Sequence, residues 1–360
     1  MNAPSKYFDG VNKYIRITDI DEQTSEYKQD SVVSPDAPLE DKYIVKDRDI
    51  LFARTGASTG KTYIYNPLDG KMYYAGFLIR ANVKMEDNPK FVFYQTQTHR
   101  YKKWVSIMSM RSGQPGINSQ EYASYKFWKP CKDEQDKISA LISLLDTRIQ
   151  TQKKIIEDLK KLKDAITHSH YRNEMSHSPM VYIGQYITQV SKRNKDAKID
   201  RVLSVSNKYG FINQDEQFED REVASADTSN YKVVHKGDFA YNPARINVGS
   251  VARLQEFKNG IVSPMYVCFT AKKGLLPAYF ELYLSTNIFK HEMNKRLEGS
   301  VRLCLTYESL CNIKIALPEF NVQKDFVSKV STILTKIKRE EKLLVLYHNY
   351  KQYLLSQMFI

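Results

Sequence analysis

The chain has 360 residues, with 54 Lys and Arg against 41 Asp and Glu and a formal net charge of +13. That length suits two domains with cores of their own, and no apolar run or N-terminal pattern argues for a membrane span or a signal peptide. The four cysteines (Cys131, Cys268, Cys304, Cys311) show no CxxC spacing, which argues against a zinc site or a disulfide framework. A reduced, cytoplasmic chain is the simplest expectation, and the basic balance with 25 tyrosines points towards a polyanion.

Residues 1–130 read as mixed strands and short helices. KYIRITDI (13–20) alternates apolar and polar residues and predicts a strand entering a loop. Tyr43 to Ala53 predicts two short strands around a Lys46–Arg48 turn, and Thr55 to Thr62 a Gly/Ser/Thr loop. Strand character resumes over 61–66 and again over 77–83. Pro89 to Met110 reads as one helix with aromatic anchors Phe91, Tyr94 and Trp104. RSGQPGINSQEY (111–122) is a Gly/Pro loop, and Tyr125 to Trp128 a last strand stopped by Pro130. From Lys132 to Tyr171 the apolar positions Ile138, Ile142, Leu145, Ile149, Ile156, Leu159, Leu162 and Ile166, interrupted by Gln152, predict a long amphipathic helix packed along a seam.

The chain then repeats this order. Adding 188 to the seam numbers gives Phe326, Val330, Ile333, Ile337, Glu340, Leu344, Tyr347, Tyr350 and Leu354, with the polar interruption at the same step. DILFARTGASTG (49–60) matches DFAYNPARINVG (238–249) at an offset of 189, which carries Phe77-Leu78-Ile79 onto Tyr266-Val267-Cys268. Gly113, Glu121, Pro130 and Gln135 fall on Gly299, Glu308, Pro318 and Gln323, and Thr18-Asp19 on Ser206-Asn207. The expected organisation is a globule over 1–130, a long helix over 131–172, a second globule over 173–318 and a long helix over 319–360. Residues 176–188 have no counterpart in the first copy, so the first globule is expected to lack its opening strand. The fold class is α+β: two duplicated mixed α/β domains separated by two helices forming an antiparallel coiled coil, pseudo-twofold symmetric, with Ile149 expected opposite Ile337.

Two motifs fail on context. Gly56 to Thr62 resembles a phosphate-binding loop but has three residues between its glycines where four are needed, and a strand follows it instead of a helix. Tyr241-Asn242-Pro243-Ala244 is one residue off the Asn-Pro-Pro-aromatic signature of adenine methyltransferases, without the glycine-rich turn that holds a methyl donor. Scattered His99, His235 and His291 show no triad or metal spacing. No catalytic site, metal site or cofactor is expected.

The doubled order of globule and long helix, the Asp49 and Asp238 strands, the SGQPGIN loop (112–118) and the Pro130-x4-Gln135 and Pro318-x4-Gln323 helix starts resemble the specificity subunit of type I restriction–modification enzymes. The resemblance covers essentially the whole chain. It implies two target recognition domains, each reading one half of a split double-stranded DNA site, and two helices acting as a spacer. It also implies two methyltransferase (modification) subunits and motor-nuclease (restriction) subunits as partners, with no catalysis by this chain. A stand-alone DNA-binding coiled-coil protein is the alternative, and an RNA-binding module a weaker one.

Elementary geometry agrees with a DNA spacer. A helix of about 39 residues is roughly 58 Å long, enough to hold two modules on separate turns of DNA at about 34 Å per turn. Bases are read by side chains of defined hydrogen-bonding pattern, such as Arg for guanine and Asn or Gln for adenine. In the first repeat the candidates are Thr18 and Asp19, then Arg54, Thr55, Ser58 and Lys61, then Arg111, Ser112 and Gln114. In the second they are Ser206, Asn207, Lys208 and Tyr209, then Asn242, Arg245 and Asn247, then Ser300 and Arg302.

Overall fold

A computed structural model describes residues 1–110, 113–214, 227–299 and 302–359. The chain divides into two compact units: unit 1 is Met1–Lys154 with Lys342–Ile360, and unit 2 is Ile155–Glu341. Among the described residues no helix is long and apolar enough to cross a membrane.

Unit 1 begins with β1 (Ser5–Tyr7), β2 (Lys13–Ile15), β3 (Val33–Pro35), β4 (Asp49–Ala53), β5 (Thr62–Ile64), β6 (Met72–Tyr74) and β7 (Leu78–Asn82). β1 pairs antiparallel with β3 and β2 parallel with β6, while β4 lies between β5 and β7. Three helices follow: α1 (Pro89–Gln95), α2 (His99–Met108) and α3 (Ser119–Ala123). The single helix expected over 89–110 is therefore two. Thr98 breaks it, because its hydroxyl oxygen accepts from the Tyr101 amide and starts a new helix. Residues 125–128 form no strand, contrary to expectation. The strand expected over 13–20 ends at Ile15 and passes into a 3-10 turn at Ile17–Asp19.

A long helix, α4 (Lys132–His177), leads into unit 2. It extends past Tyr171 into the stretch expected to open the second globule, and ends only before Ser178-Pro179, because a proline disfavours helical backbone at the residue before it. Unit 2 continues with β8 (Met180–Tyr182), α5 (Ile183–Tyr186), β9 (Ile187–Gln189), β10 (Leu203–Ser206), β11 (Gly210–Asn213), β12 (Lys232–His235), β13 (Phe239–Tyr241), β14 (Val251–Arg253), β15 (Asn259–Val262) and β16 (Val267–Ala271). Then come α6 (Pro277–Leu284), α7 (Asn287–Asn294), α8 (Tyr307–Cys311), β17 (Lys314–Ala316) and the second long helix α9 (Phe320–Met358). The main sheet has the order β14-β13-β16-β9, and β8 pairs with β17.

The two globules share one plan. Ile50 faces Ala81 across β4–β7, and Phe239 faces Phe269 across β13–β16. Since Ile50 and Phe239 are equivalent, Ala81 matches Phe269, and the offset here is 188, not 189. Phe77 therefore corresponds to Met265, not Tyr266, and both are 59–60% exposed. Thr286 caps α7 as Thr98 caps α2, and Thr306 caps α8 as Asn118 caps α3. The capped N–H groups are those of Glu121 and Ser309, so Glu121 matches Ser309, not Glu308.

The long helices run antiparallel within each unit. In unit 1, Ile142 packs in one cluster with Leu355 and Phe359, while Leu145 and Ile149 meet Leu344, Tyr347 and Leu354. Asp146 pairs with Lys351 at 2.6 Å, and the Arg148 Nε–H donates to the Tyr347 hydroxyl at 3.0 Å. In unit 2, Lys160 pairs with Glu341 at 2.7 Å and Tyr171 meets Phe326 edge-on. Ile149 thus faces the Leu344–Tyr347 turn, and Ile337 lies in the other unit, which corrects the expected pairing of these two. The polar steps Gln152 and Glu340 are both buried. Leu162 and Tyr350 are instead 49% and 52% exposed. The seam passes to Lys163 and Lys351 because a straight helix drifts from a 3.5-residue repeat and needs an extra step.

Candidate nucleic-acid interface

In unit 1 the segment after β4 turns through a 3-10 helix at Gly56–Ser58 and lies beside the 113–117 loop. The Ile117 amide donates to the Arg54 carbonyl at 2.9 Å and the Gly56 amide to the Pro115 carbonyl at 2.9 Å. Gly56 has φ +72°, and a Cβ there would stand 3.0 Å from the Gln114 side-chain nitrogen, so this backbone needs glycine. Thr18, Arg54 and Thr55 line one cavity of about 710 Å³, with Arg16 and Phe77 in its wall. Arg54 and Gln114 are exposed, Thr55 and Ser58 half-buried.

Two candidates in unit 1 are engaged within the protein, and Asp19 has a structural role. Asp19 is 3% exposed, and its two oxygens accept from Arg16 Nε and Nη2 at 2.8 and 2.7 Å and from the Arg16 amide. These bonds raise the Arg16 pKa still further, so the guanidinium stays charged. Lys61 sits apart from the cavity, in ion-pair contact with Glu22 at 3.5 Å. Arg111 and Ser112 lie outside the described residues.

In unit 2 the equivalent segment after β13 turns through a 3-10 helix at Ile246–Val248, and Gly249 closes it at φ +92°. The Leu305 amide donates to the Pro243 carbonyl at 3.1 Å, the counterpart of Ile117 on Arg54. Ser206, Asn207, Asn242 and Arg245 line one small cavity of about 110 Å³. The Ser250 hydroxyl donates to the Val205 carbonyl at 3.0 Å and ties the two loops together. Arg245 and Asn247 are exposed, whereas Asn242 is buried and its side-chain oxygen accepts from the Ala244 amide. Asn207, Lys208 and Tyr209 form the exposed tip of the β10–β11 hairpin, where the Ser206 hydroxyl oxygen accepts from the Lys208 amide at 3.2 Å. The Lys208 ammonium lies 4.9 Å from the centre of the Tyr209 ring. Arg302 is exposed on a loop closed by the Glu298–Cys304 backbone pair, and Ser300 lies outside the described residues.

Sequence reasoning missed Arg16, because reading 13–20 as one strand hid the turn at Ile17 that brings its side chain to the cavity. It also missed Val248, 54% exposed beside Arg245. It is an apolar tip among polar side chains, and exposure at a turn was its only signal. Among the described residues no three His, Cys, Asp or Glu side chains converge as a metal site would require.

Both loop clusters sit on a scaffold with known relatives. The type I restriction modification DNA specificity domain family matches residues 1–161. The type I restriction enzyme MjaVIII specificity subunit of Methanocaldococcus jannaschii is 24% identical over 356 residues, covering 89% of this chain and 80% of that one. The type I restriction–modification system S subunit from M. genitalium has the same fold, with a TM-score of 0.56 at 15% identity over 98% of this chain and 89% of that one. A chain in a structure of complex assembly and conformational transition of the type I R-M system gives 0.57 at 14% identity, over 98% and 91%. The first repeat thus matches the type I restriction modification DNA specificity domain, and the whole length shares the fold of the type I restriction–modification S subunit from M. genitalium.

Proposed function

We propose that this chain reads a bipartite, asymmetric double-stranded DNA site, one half by the loops of each unit, and directs adenine methylation and restriction by partner subunits. The observation that carries the reading is the repeated scaffold with unlike side chains. The same inter-loop hydrogen bond, Ile117 to Arg54 and Leu305 to Pro243, frames Arg54, Thr55 and Gln114 in one unit and Arg245, Asn247 and Arg302 in the other. One backbone plan with two donor and acceptor sets is what two different half-sites require. The formal charge of +13 supplies the sequence-independent attraction to phosphate.

The chain itself performs no chemistry in this reading. Two methyltransferase subunits bind it, motor-nuclease subunits join for cleavage, and the complex works in the cytoplasm. The 1–130 and 173–318 globules are the recognition domains, and the helices between and after them set the spacing. Methylation-site sequencing of the reconstituted enzyme tests this. Arg245→Ala and Asn247→Ala should relax discrimination at one half-site only, by about 1–3 kcal/mol per lost bidentate contact. Arg54→Ala should relax the other half. Degradation of both halves by Arg245→Ala, or methyl transfer by the purified chain alone, would overturn the proposal.

A further inference from the structure

One edge of the Arg16 guanidinium is closed and the other is left over. Its Nε–H donates to Asp19 Oδ2 at 2.8 Å, and an Nη2–H donates to Asp19 Oδ1 at 2.7 Å. Asp19 Oδ2 also accepts from the Arg16 amide at 2.8 Å, so the carboxylate is itself fixed to the backbone. A guanidinium carries five N–H donors in a rigid fork, and Asp19 takes two of them. What remains is the end of the fork, with two donors on Nη1 and one on Nη2. Nη1 reaches only the exposed Ser5 Oγ, at 3.5 Å, the outer limit of a hydrogen bond.

The pair is placed as a reader would be. The Arg16 side chain is 32% exposed while that of Asp19 is 4% exposed, so the carboxylate anchors from inside and the arginine meets solvent. Arg16 lines the same cavity as Thr18, Arg54 and Thr55. The arrangement is particular to unit 1. In unit 2 the positions equivalent to Arg16 and Asp19 hold Ser204 and Asn207, and Ser204 is buried in β10.

We propose that Arg16 reads one guanine of unit 1's half-site through its Nη1 and Nη2 donors, with Asp19 as the positioning residue. This rests on the reading of unit 1 as a half-site reader and adds the base and the atoms. Guanine presents O6 and N7 side by side in the major groove, two acceptors for the two parallel donors at the end of the fork. Adenine carries its N6 amino group where guanine has O6, which sets a donor against a donor. An arginine tied at Nε before DNA arrives also loses less side-chain freedom on binding.

Methylation of synthetic duplexes by the reconstituted enzyme tests the proposal. 7-Deazaguanine, which lacks the N7 acceptor, replaces in turn each guanine of the half-site that Arg54→Ala relaxes. At one guanine the analogue should slow methylation by the unaltered enzyme about tenfold or more. Arg16→Lys keeps a charge beside Asp19 but loses the fork, so it should show that loss with ordinary guanine and little further loss with the analogue. Arg54→Lys, at an exposed position, should keep the full analogue penalty. Asp19→Asn should relax the same base pair and no other, which general destabilisation of the turn would not do. A half-site without guanine, indifference to the analogue at every guanine, or a penalty that survives Arg16→Lys or vanishes in Arg54→Lys would overturn the assignment. The split-site reading would survive that failure if Arg54→Ala and Arg245→Ala still relax opposite halves, and would fall with it if they do not.

Discussion

Gln135 and Gln323 occupy the same buried position of the two repeats and make the same clamp. The Gln135 side-chain oxygen accepts from the Asn88 amide at 2.9 Å and its nitrogen donates to the Pro130 carbonyl at 3.0 Å. Gln323 accepts from the Leu276 amide at 2.8 Å and donates to the carbonyls of Pro318 and Gly274 at 2.9 Å. Each glutamine fastens the start of its long helix to a loop of its globule, the one before α1 in unit 1 and the one before α6 in unit 2.

Replacing Gln323 with Leu keeps the bulk and removes the clamp. The buried Pro318 carbonyl and the part-buried Leu276 amide and Gly274 carbonyl would lose their partner, at about 1–3 kcal/mol for a group left wholly unsatisfied and less where water reaches it. An overall loss of about 3 kcal/mol is expected, read as a lower urea midpoint for unit 2 with an unchanged slope. An unaltered midpoint would show that the clamp contributes nothing.

Asp19→Ala should act on stability first. It would leave the partly exposed Arg16 guanidinium without its carboxylate and free the Arg16 amide, for a loss of about 2 kcal/mol, below the range for fully buried pairs. Weaker discrimination at unit 1's half-site should follow only because Arg16 moves. Arg16→Ala, with Asp19 intact, should show the same discrimination defect in the methylation assay.

His170 gives unit 2 a pH dependence. Burial lowers its pKa below the usual 6.5: the ring stacks on Phe326 at 3.7 Å and its Nε2 lies 3.2 Å from the Tyr279 hydroxyl. Glu174 opposes the shift in part, and Lys329 adds to it. The unfolded chain therefore binds a proton that the folded chain resists. His170 contributes stability above pH 6.5, and that contribution is lost as the pH falls through the lowered folded value. His170→Phe should flatten the fall in unfolding midpoint between pH 7 and pH 5, and an unchanged slope would argue against His170 as its source.

Thiol labelling should separate the cysteines. Cys131 is exposed, while Cys268 is buried with its pKa pushed up to about 12 by burial. Cys131 should react with a thiol reagent within minutes in the native protein, and Cys268 only after denaturant is added.

The repeat, the helix pair and the buried glutamines were legible because each leaves a periodic or duplicated trace in the chain. Gln135 and Gln323 could be matched by counting alone. What was not legible depends on exposure and local register. Leu162 and Tyr350 read as seam residues because a seven-residue template hides a slow drift of the helix face. Asp19 read as a base contact because nothing in the string shows Arg16 folding back onto it. Lys61, Arg54 and Thr55 share one loop in the sequence, but the turn at Gly56 sends Lys61 to Glu22 and leaves the other two on the cavity.

Each globule is finished by the tail of a helix that begins beside the other globule's sequence. Tyr171 donates its hydroxyl to the Tyr279 carbonyl, and Phe359 stacks on Phe91 with ring centres 5.0 Å apart. Unit 2 is nonetheless one unbroken run, Ile155–Glu341, whereas unit 1 is assembled from two ends of the chain. A single genetic crossover cassette bounded at those points would carry Tyr171, Tyr279 and Phe326 together and import a foreign second reader with its closing aromatics in place. Unit 1 is the complement of that cassette, so the same two breaks, after Lys154 and after Glu341, exchange either globule with its closing aromatics intact.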